Sequence, residues 1–242
     1  MALFIIGIGL NDEKDISMKG FEIIKKCDKV YLEIYTSKLN CSIMDLEKFY
    51  GRKIIAADRK LIEEGFDDVL KEARSKDISI LIIGAPLAAT THFELFMEAK
   101  KRKIKCEIIE NASIYSAIGI TGLFIYKFGR TTTIPLENKN IKSPYEVYLN
   151  NKKLGLHTLF LLDTEGNNLM TASDGLDYLI RSGLDKEVLV MGCAAFGSNN
   201  PEIKIDKASK LKLNKFPQSF IIPGELNFKE EEAIKFWQTY QN

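Results

Sequence analysis

Apolar runs of strand length alternate with amphipathic stretches of helix length from the first residues to Glu110, and this alternation limits the fold more than any other feature of the chain. "LFIIGI", "KVYLEIY", "KIIAA", "ISILIIG" and "KCEIIE" read as strands. "SMKGFEIIKKC", "SIMDLEKFY", "FDDVLKEARS" and "HFELFMEAKKR" repeat their apolar residues at helical spacing and read as helices. Strands joined through helices run largely parallel, because each helix carries the chain back to the starting edge of the sheet. In the second strand the alternation puts Val30, Leu32 and Ile34 on one side.

Beyond Asn111 the texture changes. "SIYSAIGITGLFIYKFG" reads as a helix rich in small residues. Strand and helix patterns follow at "TTTIPL", "YEVYLNN", "HTLFLLD", "ASDGLDYLIRS", "EVLVMG", "EIKID" and "SFIIPG", and "EEEAIKFWQTY" closes the chain as an amphipathic helix whose Phe236 and Trp237 are expected to pack. The predicted architecture is α/β, with two α/β domains: an N-terminal one over residues 1–112 and a C-terminal one over residues 113–242. A chain of 242 residues, 45% of them apolar, can bury cores of that size.

Lysine and arginine (34) nearly balance aspartate and glutamate (33), so the net charge of +1 lacks the footprint of a dedicated nucleic-acid binder. The basic run from Lys100 to Lys105 ends a helix, where cations complement the helix dipole, and reads as a solvated face. Glu63, Glu64, Asp67 and Asp68 read as another exposed helical face. Cys27, Cys41, Cys106 and Cys193 are widely scattered, with neither a C-x-x-C pair nor a histidine at ligand spacing, so they read as reduced core residues and no metal site is predicted. The apolar opening has no basic segment before it and fits a buried strand better than a signal peptide. Nothing later is long enough to span a bilayer. A compact cytoplasmic enzyme is the expected class.

In open α/β sheets ligands bind beyond the carboxyl ends of the strands, where backbone amides and helix amino ends converge. "GIGLND", "GAPLAATTH" and "ENASIYS" occupy such places, and their glycines and alanines let a ligand approach the main chain. Gly7-Ile8-Gly9 has Asp12 where a dinucleotide fingerprint needs its third glycine, and no phosphate-binding loop of the G-x-x-x-x-G-K-[ST] kind occurs. Two histidines without a G-x-S-x-G give no basis for a serine or cysteine hydrolase. His92 and His157 read as structural hydrogen-bonding residues.

"IGIGLNDEKDISMKGFEIIKKCDKVYLEIYTS", "PLAATTH", "SIYSAIGITGLFIYKFGRT", "GLHTLFLLD", "GSNNP" and "IIPGEL" occur in the order and approximate spacing of the diphthine synthases, and the chain resembles that family along essentially its whole length. "SIYSAIGITGL" with "PLAATTH" and "GLHTLFLLD" sets the family apart from its relatives, the tetrapyrrole methylases. The resemblance implies a tetrapyrrole methylase-like fold of two α/β domains with the ligand cleft between them, usually a homodimer. It also implies a methyltransferase of diphthamide biosynthesis that takes S-adenosylmethionine, releases S-adenosylhomocysteine, and methylates the modified histidine of translation elongation factor 2. No membrane and no nucleic acid would be involved.

Carried over position by position, the resemblance implies donor contacts from Leu10, from Ala85 and Ala88, from Ser113 and Ile114, and from Leu162, Phe196 and Gln218. Leu10, Ile114 and Leu162 would otherwise read as core packing, and Ser113 as a helix cap. No catalytic side chain is implied, because methyl transfer needs an amine held roughly 3 to 3.5 Å from the donor carbon and in line with it. Three positions depart from the family's usual pattern. Gly84-Ala85-Pro86 stands where Gly-Asp-Pro is typical, Ala195 where an arginine is frequent, and Gln218 where a histidine is common. These exchanges raise a second expectation, a non-catalytic relative that binds the donor or the factor without turnover.

Overall fold

The computed structural model describes residues 1–63, 65–165 and 168–240. Glu64 and the side chain of Glu63, assigned above to an acidic face, lie outside the described residues. The chain divides into two compact units, Met1–Tyr115 and Ser116–Asn242.

The first unit runs β1 (Leu3–Gly7), α1 (Met18–Lys26), β2 (Lys29–Glu33), α2 (Ile43–Tyr50), β3 (Ile54–Ala57), α3 (Arg59–Glu63), α4 (Phe66–Glu72), β4 (Ile78–Ile82), α5 (Phe93–Lys101) and β5 (Cys106–Ile109). The strands lie in the order β3-β2-β4-β1-β5, and every pairing is parallel. Helices cover both faces. Ile5, Tyr31 and Ile80 pack with Val69, Leu70 and Leu95 on one side, while Ile6, Leu32 and Leu81 pack with Ile24, Leu46 and Tyr50 on the other. Burial on both faces explains why β4 is buried at all five positions. It also corrects the single-sided reading of the second strand: Tyr31 is as much a core residue as its neighbours, and Ile34 lies past the strand end, 39% exposed.

The second unit contains β6 (Thr132–Ile134), α7 (Ser143–Lys153), β7 (Thr158–Leu162), β8 (Thr164–Glu165), β9 (Asn168–Leu169), α8 (Ala172–Arg181), β10 (Leu189–Ala194), β11 (Glu202–Lys207), β12 (Gln218–Ile222) and α9 (Phe228–Thr239). Its main sheet has the order β11-β10-β12-β7-β6, antiparallel apart from the β6–β7 pair. Phe160 and Phe220 stack at 4.8 Å in its core. The short β8–β9 pair and α3 carry too few residues to show a period in the sequence.

The small-residue helix expected after Asn111 is broken. A helical turn, α6 (Ile114–Ala117), tightens into a 3-10 turn at Ile118–Thr121, and a second 3-10 turn follows at Ile125–Lys127. Gly122 interrupts the run in the left-handed region, at φ 81°, with Ala233 Cβ 2.4 Å from where a side chain would begin. The Thr121 hydroxyl donates to the Ile118 carbonyl at 2.6 Å and accepts from the Leu123 amide at 3.2 Å, closing the turn.

Solvated charge pairs occur in both units, and the second also holds a network around a buried carboxylate. Lys101 pairs with Glu98, and Arg102 joins the basic run to Asp67. Three cysteines are buried and Cys41 is partly so, all four being free thiols. Burial pushes Cys27 and Cys106 up to about 11. Glu230, fully buried on α9, accepts from Lys127 Nζ (2.5 Å), the Phe124 amide (2.9 Å), the Asn227 amide (3.0 Å) and His157 Nε2 (2.9 Å). The Gly224 amide donates to His157 Nδ1 at 2.8 Å, which fixes the neutral tautomer with its proton on Nε2. Facing Glu230 and Ile234 inward turns Phe236 outward, so Phe236 is 51% exposed and packs on the rings of Trp237 and Tyr240 rather than in the core; Trp237 donates to the Thr121 carbonyl at 3.0 Å.

Burial pushes the Glu230 carboxyl upward, but its four donors outweigh that and hold it down at about 2. Burial likewise lowers His157, against the pull of Glu230. Both shifts have one sign for stability. The unfolded chain takes up a proton at the histidine below about pH 6.5 and at the glutamate below about 4.3, where the folded protein resists it. Denaturant melts across pH are therefore expected to show stability falling from about pH 6.5 downward, with a further loss between about 4.3 and 2. Glu230→Gln, which removes the charge facing the half-buried Lys127 and turns an N–H toward donors that the carboxylate now accepts from, is expected to cost about 1–3 kcal/mol at neutral pH and to flatten the acid limb.

Candidate functional site

The three sparse turns leave the carboxyl ends of β4, β1 and β5, which are neighbours in the sheet. Gly9 and Gly84, both left-handed, pair across the first two turns, the Gly84 amide donating to the Gly9 carbonyl at 2.7 Å. Gly7 sits where all three meet. A methyl group on it would lie 2.6 Å from the Gly84 carbonyl oxygen, 2.8 Å from Pro86 Cδ and 2.9 Å from Asn111 Cβ. At Gly7 and Gly9 the missing side chain is thus a packing requirement of the turns themselves, while at Gly84 the demand is the left-handed backbone.

Five of the expected contact residues belong to these turns. A side chain on Gly84 would meet Leu10 Cδ2 at 3.6 Å and the Ala112 carbonyl at 3.8 Å, so Leu10 and the neighbours of Ala85 and Ser113 border one small space. The Leu10 and Asn11 amides both donate to the Asp15 carboxylate, at 3.1 and 2.7 Å. Leu10 therefore presents its carbonyl and side chain, with its N–H already engaged. Ala85 and Ala88 are half-buried, and the Ala88 amide closes back on the Ala85 carbonyl at 3.2 Å. Ser113 and Ile114, also half-buried, follow the third turn directly.

The other three residues gather within the second unit. Gln218 opens β12 opposite Ala194, and Ser219 pairs with Leu161, which sets Leu162 at the same end of the sheet. Phe196 is buried in the turn after β10, where the Ala195 amide donates to the Pro217 carbonyl at 3.0 Å. The Gln218 side chain is engaged inside its own unit, its oxygen accepting from the Ala172 amide (2.7 Å) and its nitrogen donating to the carbonyls of Lys215 (2.9 Å) and Leu213 (3.3 Å). Its remaining offering to a ligand is main chain. Ala89 and Ala195 adopt left-handed backbone at φ 56° and 52°, each inside an expected contact turn, a conformation that costs on the order of 1 kcal/mol or more for a residue with a side chain.

His157 belongs to the buried network of α9, far from these turns in role. His92 is buried beside Tyr35, its Nε2 3.4 Å from the Tyr35 hydroxyl, under a depression of about 310 Å³ that Phe66, Asp67, Glu94 and Glu98 also line. Residues that the sequence reading passed over include Asp15, Asn111 and Glu33. Glu33 is fully buried at the end of β2 and accepts from the amides of Tyr35 (2.5 Å) and Thr36 (2.8 Å) and from the Thr36 hydroxyl. Glu33 and Asn111 are polar residues at or just past a strand's carboxyl end, which is the only signal the sequence offered for them, and Asp15, further along the loop after β1, offered none.

A family model for Tetrapyrrole (Corrin/Porphyrin) Methylases matches residues 2–211. A protein named diphthine synthase from Methanococcus maripaludis is 40% identical, over 97% of this chain and 98% of its own. The chain belongs to the diphthine synthase family. A diphthine methyl ester synthase from Dictyostelium discoideum is 37% identical over the full length of both chains. The crystal structure of a diphthine synthase superposes with a TM-score of 0.93 at 33% identity, covering 99% of this chain and 96% of that one. Diphthine synthase homologues are methyltransferases, so the family places this chain among them. Among the described residues no group of His, Cys, Asp and Glu could hold a metal ion, and no helix is long and apolar enough to cross a membrane.

In this diphthine synthase family member the Gly7 contact is expected to be intolerant of any side chain. Gly7→Ala must displace a carbonyl, a proline ring and Asn111 together, and urea unfolding should show a loss of about 1–3 kcal/mol. Gly51→Ala is the contrasting case: nothing lies within 4 Å of its added methyl, so its cost is confined to left-handed backbone.

Proposed function

We propose that this chain is a diphthine synthase, an S-adenosylmethionine-dependent N-methyltransferase that adds successive methyl groups to the modified histidine of translation elongation factor 2. It would work as a cytoplasmic homodimer. Likeness to proteins named diphthine synthase across 97% of the chain is the observation that carries this reading. The close main-chain approach of the turns after β1, β4 and β5 supports it.

S-adenosylmethionine supplies the methyl group from its sulfonium, leaving S-adenosylhomocysteine. Leu10, Ala85, Ala88, Ser113 and Ile114 from the first unit, with Leu162, Phe196 and Gln218 from the second, are the proposed donor contacts. The set fits a compact cationic ligand of mixed polarity. Alanines and glycines leave main-chain carbonyls accessible to donor N–H and O–H groups, and the side chains of Leu10, Ile114, Leu162 and Phe196 exclude water from a charge that disperses as the methyl leaves. None of the eight side chains is ionised, so binding rests on peptide dipoles and shape. No general base is assigned: an amine that has lost its proton to water is already a nucleophile, and positioning does the rest.

Calorimetry is expected to show S-adenosylmethionine binding, and mass spectrometry of elongation factor 2 carrying the unmethylated diphthamide intermediate should show successive methyl additions. Factor binding without any gain of mass would favour the non-catalytic alternative. Ala85→Asp tests the main-chain grip. A new hydrogen bond to a charged donor group would strengthen binding roughly tenfold to a hundredfold. Because the turn already offers main-chain contacts, the expected change is less than about threefold.

A further inference from the structure

We infer that Asn111 is a positioning residue for the methyl donor, acting through the turns that the proposed function assigns to donor binding, on which this inference rests. Its carboxamide makes three hydrogen bonds. Nδ2 donates to the Gly7 carbonyl at 2.9 Å and to the Asp15 carbonyl at 3.0 Å, and Oδ1 accepts from the Ala112 amide at 2.7 Å. Both carboxamide protons and one oxygen lone pair are thus committed to main chain.

The partners matter more than their number. Gly7 is the last residue of β1, and the Gly7 carbonyl is held from a residue that follows β5. Asp15 is the residue whose carboxylate takes the amides of Leu10 and Asn11, so holding the Asp15 main chain also holds the conformation of Leu10. Ala112 immediately precedes Ser113 and Ile114, so the third bond sets where those two residues start. One half-buried side chain therefore fixes the first turn relative to the third. The second turn is drawn in without a further side chain, through the Gly84–Gly9 hydrogen bond and the contact of Gly7 with Pro86.

The arrangement has a chemical consequence. Where none of the proposed contacts carries a formal charge, affinity depends on main-chain dipoles standing at the right places before the ligand arrives, and an error of position is not repaired by a strong ion pair. Asn111 is a residue of the right kind for that task, since only a carboxamide both donates twice and accepts in one plane. Aspartate has the same shape but no N–H, and it would direct a charged oxygen at the carbonyls of Gly7 and Asp15.

The test is donor binding by calorimetry, with wild type, Asn111→Asp and Val69→Ala compared well below their melting temperatures. Val69 is a buried core residue of α4 in the same unit and serves as a control for lost stability without disturbed turns. Asn111→Asp is expected to weaken S-adenosylmethionine binding by about tenfold or more while the KM for the elongation factor stays within about twofold. Val69→Ala is expected to lower Tm at least as far and to leave the donor Kd within about twofold. Wild-type binding with an unchanged Kd in Asn111→Asp overturns the positioning role alone. Equal weakening in the two variants also overturns it, by reducing Asn111 to a contributor to stability. Absence of donor binding by the wild type overturns the proposed function, and this inference with it.

Discussion

The constraint that joins all three turns of the first unit is the meeting of Gly7 with the Gly84 carbonyl, Pro86 and Asn111, at distances that leave no room for a single methyl group. Everything proposed for the site depends on that contact. It requires three adjacent parallel strands ending at one level, three turns stripped of bulk, and a side chain able to satisfy main-chain groups that the sheet no longer pairs. The parallel sheet supplies the first requirement, composition the second, and Asn111 the third.

The second unit solves a different problem. There a fully buried carboxylate, Glu230, gathers a lysine, two main-chain amides and a histidine, and so ties α9 to the segments at Phe124 and His157. A network of this kind tolerates burial because each lone pair has a donor, and it is costly to leave half-made. His157 is explained by this network without any part in catalysis, as its low proton affinity and two engaged nitrogens require. The two units thus differ in the chemistry that organises them: backbone dipoles around a turn cluster in the first, and a buried carboxylate with its donors in the second.

The exchanges that set this chain apart from the family's usual pattern acquire a physical reading. Gln218 keeps its side chain occupied with main-chain partners of its own unit, and Ala195 holds a left-handed backbone without a long side chain. Ala85 lies in a turn closed by its own carbonyl and the Ala88 amide. In each case the main-chain arrangement stands without the acid, arginine or histidine frequent at those positions. Under the proposed function, a site gripped by peptide groups keeps its shape when side chains are exchanged, which is consistent with full-length likeness to the diphthine synthases.

Legibility of the molecule in its sequence followed the strength of local signals. The alternation of apolar and amphipathic stretches determined a parallel α/β first half and the existence of nearly every element, because burial of a sheet between helices imposes a period that single residues cannot hide. Sparse turns at strand ends marked the candidate site. The sequence did not show that "SIYSAIGITGLFIYKFG" breaks into short turns, since that depends on Ala233 approaching Gly122 from α9. Nor did it show that Phe236 faces outward, which follows from Glu230 taking the inward position. Asn111 was unreadable for the same reason: an Asn in a loop is ordinary until the fold brings distant carbonyls within about 3 Å, whereas Asp15 and Glu33 take amides only two to five positions away. Local pattern decided what each segment is, and tertiary structure decided which polar groups meet, because a hydrogen bond between residues some hundred positions apart leaves no trace in the neighbourhood of either.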